Sequence, residues 1–147
     1  MQGFEECVKK GLLRRSVPSE KQAGLSMIKA KKLLDEAVKS YEMSLYESSL
    51  ILSYLAMFHA ARSLLFKDGW REKSHYCISR FLEEFYVKKG KLERIWVDYL
   101  DHVRDTRHET QYDLSYFPSA REAEETLKLA ERFVKRIKEV YDLKTSL

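Results

Sequence analysis

At 147 residues and 17.4 kDa the chain is sized for one domain, long enough to bury an apolar core without disulfides or a metal. Hydrophobic residues at 44% beside charged residues at 34% exclude a disordered chain, and only 5 Gly and 2 Pro favour long helices. A net charge of +4 permits an anionic partner without demanding one.

The first 18 residues are mixed in pattern. They accommodate a short helix from about Phe4 to Leu13 and end in the turn signal SVPSE. They hold no apolar stretch of signal-peptide type, and no run in the chain approaches 18 apolar residues, so the expectation is a cytoplasmic protein that does not cross a membrane. Cys7 and Cys77 form no CxxC and have no histidines at zinc spacing. The expected state is one buried thiol and one loose terminal thiol in a reducing compartment.

Ser19 followed by Gln22 opens a helix with capping-box spacing. Ala23, Met27, Ala30, Leu34, Ala37 and Tyr41 then form a single apolar stripe. Ser44 and Glu47 repeat the cap signal and predict a second helix running to Phe66. Its core line of Leu50, Tyr54, Met57, Ala61 and Leu64 is flanked by further apolar residues, which marks it as the central helix. Lys67-Asp68-Gly69 is its exit.

Ser74 opens a third helix, with Ile78, Phe81, Leu82 and Phe85 inward and Gly90 as its end. A fourth runs from Leu92 to about Gln111, with Leu92, Ile95, Trp96, Tyr99 and Val103 on its apolar side. The last starts at the Ser119–Glu122 capping box and carries Ala123, Leu127, Ala130, Val134, Ile137 and Tyr141. No segment shows strand alternation. The expected fold class is all-α, an antiparallel four- or five-helix up-and-down bundle in one domain spanning residues 1–147. Tyr76, Phe85, Tyr86 and Trp96 are candidates for an apolar surface patch, which small bundles commonly bury by forming a homodimer or pairing with another subunit.

One polar stretch stands out. DHVRDTRHETQYD, residues 101–113, holds two histidines, two arginines and four carboxylates. On a helix, Arg104, His108 and Tyr112 share one face, with Asp101 a turn earlier and Asp105 one position round. A guanidinium forks onto phosphate oxygens, and an imidazole takes or gives a proton near neutral pH, so the pair suits phosphodiester cleavage without a metal. The plain alternative is a solvated face of ion pairs. From Arg94 to Tyr112 three arginines meet four acids, a net charge of −1 with histidines neutral, whereas RNA grooves are usually basic. His59 and His75 are read as a helix-packed ring and a helix-end ring. Nothing in the spacing suggests a metal centre, a phosphate loop or a cofactor.

ESSLILSYLAMFHAARSLLFKDGWREKSHYCISRFLEEFY, from Glu47, and VRDTRHETQYDLSYFPSAREAEETLKLAERFVKRI, from Val103, resemble the HEPN family in order and spacing. The likeness covers about residues 20 to 143 and is greatest to a small stand-alone archaeal and bacterial branch long left uncharacterised. It implies a dimerising bundle. It also implies RNase activity, often that of a toxin restrained by a minimal nucleotidyltransferase partner. Active members carry an Arg, a polar neighbour, and a His after four to six intervening residues, and two copies face one another across a cleft to give a metal-independent site that leaves a cyclic phosphate. A common variant adds a Tyr two positions past the His. Carried over, Arg104 and His108 are the catalytic pair, with Asp105, Tyr112 and Arg107 supporting. Here only Asp-Thr-Arg intervenes, and Tyr112 lies four past His108, so both spacings depart from the strict pattern. The runner-up reading is a non-catalytic subunit that binds a nucleotide or a nucleotidyltransferase.

Overall fold

The computed structural model describes residues 3–145. Within it, six α-helices build a bundle beside a small antiparallel β-pair: α1 (Phe4–Lys9), β1 (Leu13–Arg15), α2 (Glu20–Glu42), α3 (Tyr46–Asp68), β2 (Trp70–Glu72), α4 (His75–Leu82), α5 (Arg94–Tyr112) and α6 (Ala120–Thr145).

The central helix is α3. Leu50, Tyr54, Ala56, Met57, Ala60, Ala61, Leu64 and Leu65 are all buried, so it is covered on more than one side. By length and composition α3 could cross a bilayer, contrary to the expectation that no stretch comes close. Yet 72% of its apolar window is buried inside the fold, which is how the core helix of a bundle reads. Its most extensive partner is α2. Ala23, Ala30 and Ala37 on α2 and Ser49, Ser53 and the alanines of α3 are small and buried, which suits a close approach of the two backbones. Buried hydroxyls bond backbone carbonyls across this contact: Ser49 donates to Ala37 O at 2.9 Å, and Ser26 on α2 to His59 O at 2.7 Å.

Caps explain most of the boundaries. Ser19 Oγ accepts from Gln22 N. Ser119 and Glu122 form the full reciprocal box at 3.1 and 3.0 Å. Ser44 is different: it has φ 62°, and Leu45 N donates to Ser40 O. Ser44 therefore belongs to the left-handed exit of α2, and α3 starts at Tyr46 without a side-chain cap. Gly69 ends α3 at φ 83°, where a Cβ would meet Ser16 O at 2.7 Å; only glycine fits there.

Several expectations are corrected. The amino-terminal helix stops at Lys9, and Leu13–Arg15 pairs with Trp70–Glu72, a strand pair too short to show alternation. The third helix continues past Leu82 as a π-helical turn over Glu83–Val87, which turns Tyr86 inward to donate to Asp68 Oδ2 at 2.6 Å. Tyr86 is thus core, and Phe85 packs edge-on against Phe4 at 5.2 Å and beside Trp70 and Phe81. The proposed aromatic surface patch around the third and fourth helices is therefore largely internal. Ile95 faces outward, and Val97, Leu100 and Val103 take the inner side of α5. Cys7 and Cys77 are both fully buried and joined in a disulfide with Cα atoms 5.9 Å apart. No spacing rule indicates this bond, because the fold alone brings α1 onto α4 across 70 residues.

Candidate functional site

α5 is an unbroken helix from Arg94 to Tyr112, so Arg104 and His108 lie one turn apart on one face. Their settings differ. Arg104 is largely covered, with its side chain 15% exposed. It donates to Asp101 Oδ1 at 2.7 Å and to Asp105 Oδ1 at 3.3 Å. Its guanidinium carbon sits 5.2 Å from the centre of the Tyr76 ring. His108 is exposed and packs at a tilt on Tyr112, with ring centres 4.8 Å apart. Tyr112 is itself exposed, next to the bared Leu114 and Phe117.

Asp101 has a second partner that sequence reasoning did not single out. Arg80 of α4, only 8% exposed, donates to Asp101 Oδ2 at 2.7 Å. One carboxylate thus joins α4 to α5 and anchors both guanidiniums. Tyr76 lies under the pair, with Arg80 4.9 Å from the same ring centre.

Arg107 points inward, as its 100° offset from His108 requires. Its guanidinium lies 4.7 Å from the centre of the Tyr54 ring and donates to Gln111 Oε1 at 2.8 Å. Another Arg107 nitrogen comes within 3.5 Å of His75 Nδ1, while the Tyr54 hydroxyl lies 2.7 Å from that atom. An arginine can only donate, so the network assigns Nδ1 as the acceptor, and the neutral ring carries its proton on Nε2. His75 stacks on Phe58 with centres 4.1 Å apart. Burial lowers its pKa, and the nearby Arg107, Arg104 and Arg62 lower it further. Burial also pushes the Tyr54 phenol up to about 12. The segment that Ser74 opens, read as a helix start with Tyr76 a surface-patch candidate, therefore supplies His75 and Tyr76 to this cluster. Apolar or capping positions gave no hint that Tyr54, His75 and Tyr76 would meet the α5 arginines.

On its other side α5 borders a groove of about 360 Å³ lined by His102, Glu109, Tyr116, Glu122, Glu125 and Leu129 among others. Three carboxylates there oppose a phosphate. Among the described residues no group of three or more His, Cys, Asp or Glu side chains is arranged to hold a metal ion.

A bundle with an Arg–His face on its fifth helix defines a class, and comparison with known families names it: the chain belongs to the HEPN domain family, whose model matches residues 23–140. It is similar to a candidate toxin of Methanocaldococcus jannaschii, 30% identical over 88% of this chain and 94% of that protein. It is also similar to a UPF0332 protein of Archaeoglobus fulgidus, 35% identical over 78% of this chain and 90% of that one. A UPF0332 protein of Pyrococcus horikoshii is 29% identical over 56% of this chain and 58% of its own length.

Proposed function

We propose that the protein is a metal-independent endoribonuclease that works in the cytoplasm as a homodimer, in the role of a toxin restrained by a minimal nucleotidyltransferase partner. One observation carries this reading: an arginine with its charge held in place and an exposed histidine stand one turn apart on a regular helix. In the reaction, the 2′-oxygen of RNA bonds to phosphorus as its proton passes to His108. The 5′-oxygen leaves with a proton from His108 of the partner subunit, and a 2′,3′-cyclic phosphate remains. Arg104 stabilises the charge that builds on the non-bridging oxygens. Asp101 and Asp105 orient Arg104, Tyr112 lines the cleft beside His108, and Arg107 acts from behind by holding Tyr54 and His75. Membership of the HEPN family and the candidate-toxin name of the M. jannaschii relative support this role.

The test is cleavage of single-stranded RNA by purified protein in EDTA, with cyclic phosphate ends on the products. Arg104→Ala and His108→Ala should each abolish it; activity surviving both changes removes the site assignment.

A second reading rests on a specific observation. Arg104 already spends its donors on two carboxylates, which suits a subunit that binds a nucleotide or a nucleotidyltransferase without turnover. Absence of cleavage across varied RNAs, with tight co-purification of such a partner, would select it.

A further inference from the structure

A cationic concavity lies away from α5. It is a shallow groove of about 350 Å³ between α2, α3 and β2, within the range of about 300–1,000 Å³ common for ligand sites. Lys29, Arg62 and Arg71 line it together with Gln22, His59 and Phe66, and no carboxylate is part of its wall. The guanidiniums of Arg62 and Arg71 both lie over the Phe66 ring, at 4.7 and 5.3 Å from its centre, which fixes two donor forks in place. Arg71 Nη2 also donates to Gln22 Oε1 at 3.0 Å, and Arg62 Nε donates to Glu72 Oε1 at 2.9 Å.

A second observation comes from the β-pair. Its register sets Arg14 directly opposite Arg71, both exposed. Like charges directly opposite one another add positive potential to this edge of the fold, and Arg14 Nε also donates to Gly11 O at 3.1 Å. Side-chain contacts through the buried Phe58 also link the groove to the α5 cluster. Arg62 sits over Phe58 at 5.8 Å, Phe58 stacks on His75 at 4.1 Å, and His75 reaches Arg107 at 3.5 Å. On the opposite flank of α5 the groove is acidic and would turn a phosphate chain away.

We infer that the α2–α3–β2 groove is a second phosphate subsite, which holds the backbone of a single-stranded RNA some nucleotides away from the bond set over Arg104 and His108. This rests on the nuclease reading for its direction, which takes the strand from the Arg104–His108 face of α5 toward Arg62. Lys29 and Arg71 neutralise phosphates, the Arg62 fork orients one of them, and the exposed Leu25 at the lip meets a base or ribose face.

The experiment measures binding of a fluorescein-labelled 12-nucleotide single-stranded RNA to His108→Ala protein by anisotropy, with and without Lys29→Ala/Arg71→Ala. Circular dichroism confirms that each variant is folded. Affinity should fall on the order of tenfold at low salt, and the slope of log affinity against log salt should shrink by about 1.4 for two lost phosphate contacts. A control that removes cations elsewhere, Lys89→Ala/Lys91→Ala, should change both far less. Equal affinity in the groove variant and the control overturns the subsite. So does displacement of the RNA by a poly-glutamate peptide at equal charge concentration, which would make the groove a reader of acidic peptides. The binding arm needs no turnover, so a protein that never cuts RNA sinks the nuclease reading while the groove is still judged by affinity and salt slope.

Discussion

The two ends of one helical surface obey different rules. At the α4–α5 junction Arg80, Asp101, Arg104 and Tyr76 form a mostly covered cluster in which the carboxylate of Asp101 serves two guanidiniums. One and two turns further along, His108 and Tyr112 stand in solvent, shortly before the exposed Leu114 and Phe117. The first region resembles a structural strut, and the second is an open surface, which the proposed nuclease completes with a partner copy. An enzyme built this way keeps its electrostatic part rigid and leaves its proton carrier accessible, the preorganisation that phosphate chemistry rewards. A purely structural role for Arg104, as a seam between helices, uses the same ion pairs and predicts a different set of losses.

The sharpest way to separate the two regions is His108→Ala. Because the side chain is exposed, its thermal unfolding midpoint should stay within the small range of surface substitutions, while RNA cleavage falls by about 10²–10⁴ in rate. A large loss of stability would mean that His108 belongs with the strut. Next in size is the covalent support of the rigid region. Cys77 lies two residues beyond His75 on α4, and closing the 70-residue separation to Cys7 stabilises by about 4 kcal/mol in the chain-entropy account. Cys7→Ser/Cys77→Ser should lower the urea midpoint accordingly. Both sulfurs are sealed from solvent, so mild reductant should act slowly on the folded wild type.

Asp101→Ala should cost about 3 kcal/mol, the low end for breaking a buried pair, since Arg80 would be left covered and without its main counter-charge. Denaturant unfolding measures it. A cost under 1 kcal/mol would show that the cluster is no strut and that Asp101 serves only to orient Arg104. The smallest effect concerns pH. Burial, with Arg62, Lys29 and His75 nearby, depresses His59 from its ordinary 6.5 to about 4, and His75 is depressed in the same direction. The unfolded chain then binds more protons in that window, so stability is complete above about pH 6.5 and falls as the pH drops toward 4. Partial exposure limits the His59 share to ~1–2 kcal/mol. His59→Gln should flatten that limb of a stability–pH curve, and an unchanged slope would place the titration elsewhere.

Much of this was legible beforehand, for identifiable reasons. Ser19–Gln22, Ser119–Glu122 and Gly69 are local signals whose hydrogen bonds and φ angle lie within a few residues, and each ends or starts a helix where expected. The apolar stripes of α2 and α6 follow from helical period alone, and Ala23, Met27, Ala30, Ala123, Ala130 and Ile137 are buried accordingly. Ser44 misled because a cap and a left-handed helix exit draw on the same short polar residues. The shared face of Arg104 and His108 was likewise a matter of period, since α5 is regular.

The amino-acid sequence by itself determined the all-α bundle, the central place of α3 and the register of the Arg–His face, because these depend on spacings of three and four residues. Tertiary structure decided what long-range packing controls: the Cys7–Cys77 bond, the pairing of residues 13–15 with 70–72, and the clasp of Asp101 by Arg80 from a different helix. It also decided that Arg107 turns inward onto Tyr54 and His75 and that Lys29, Arg62 and Arg71 converge from three elements on one groove. No period relates those residues. Only the close approach of α2, α3 and β2 puts their charges on one surface.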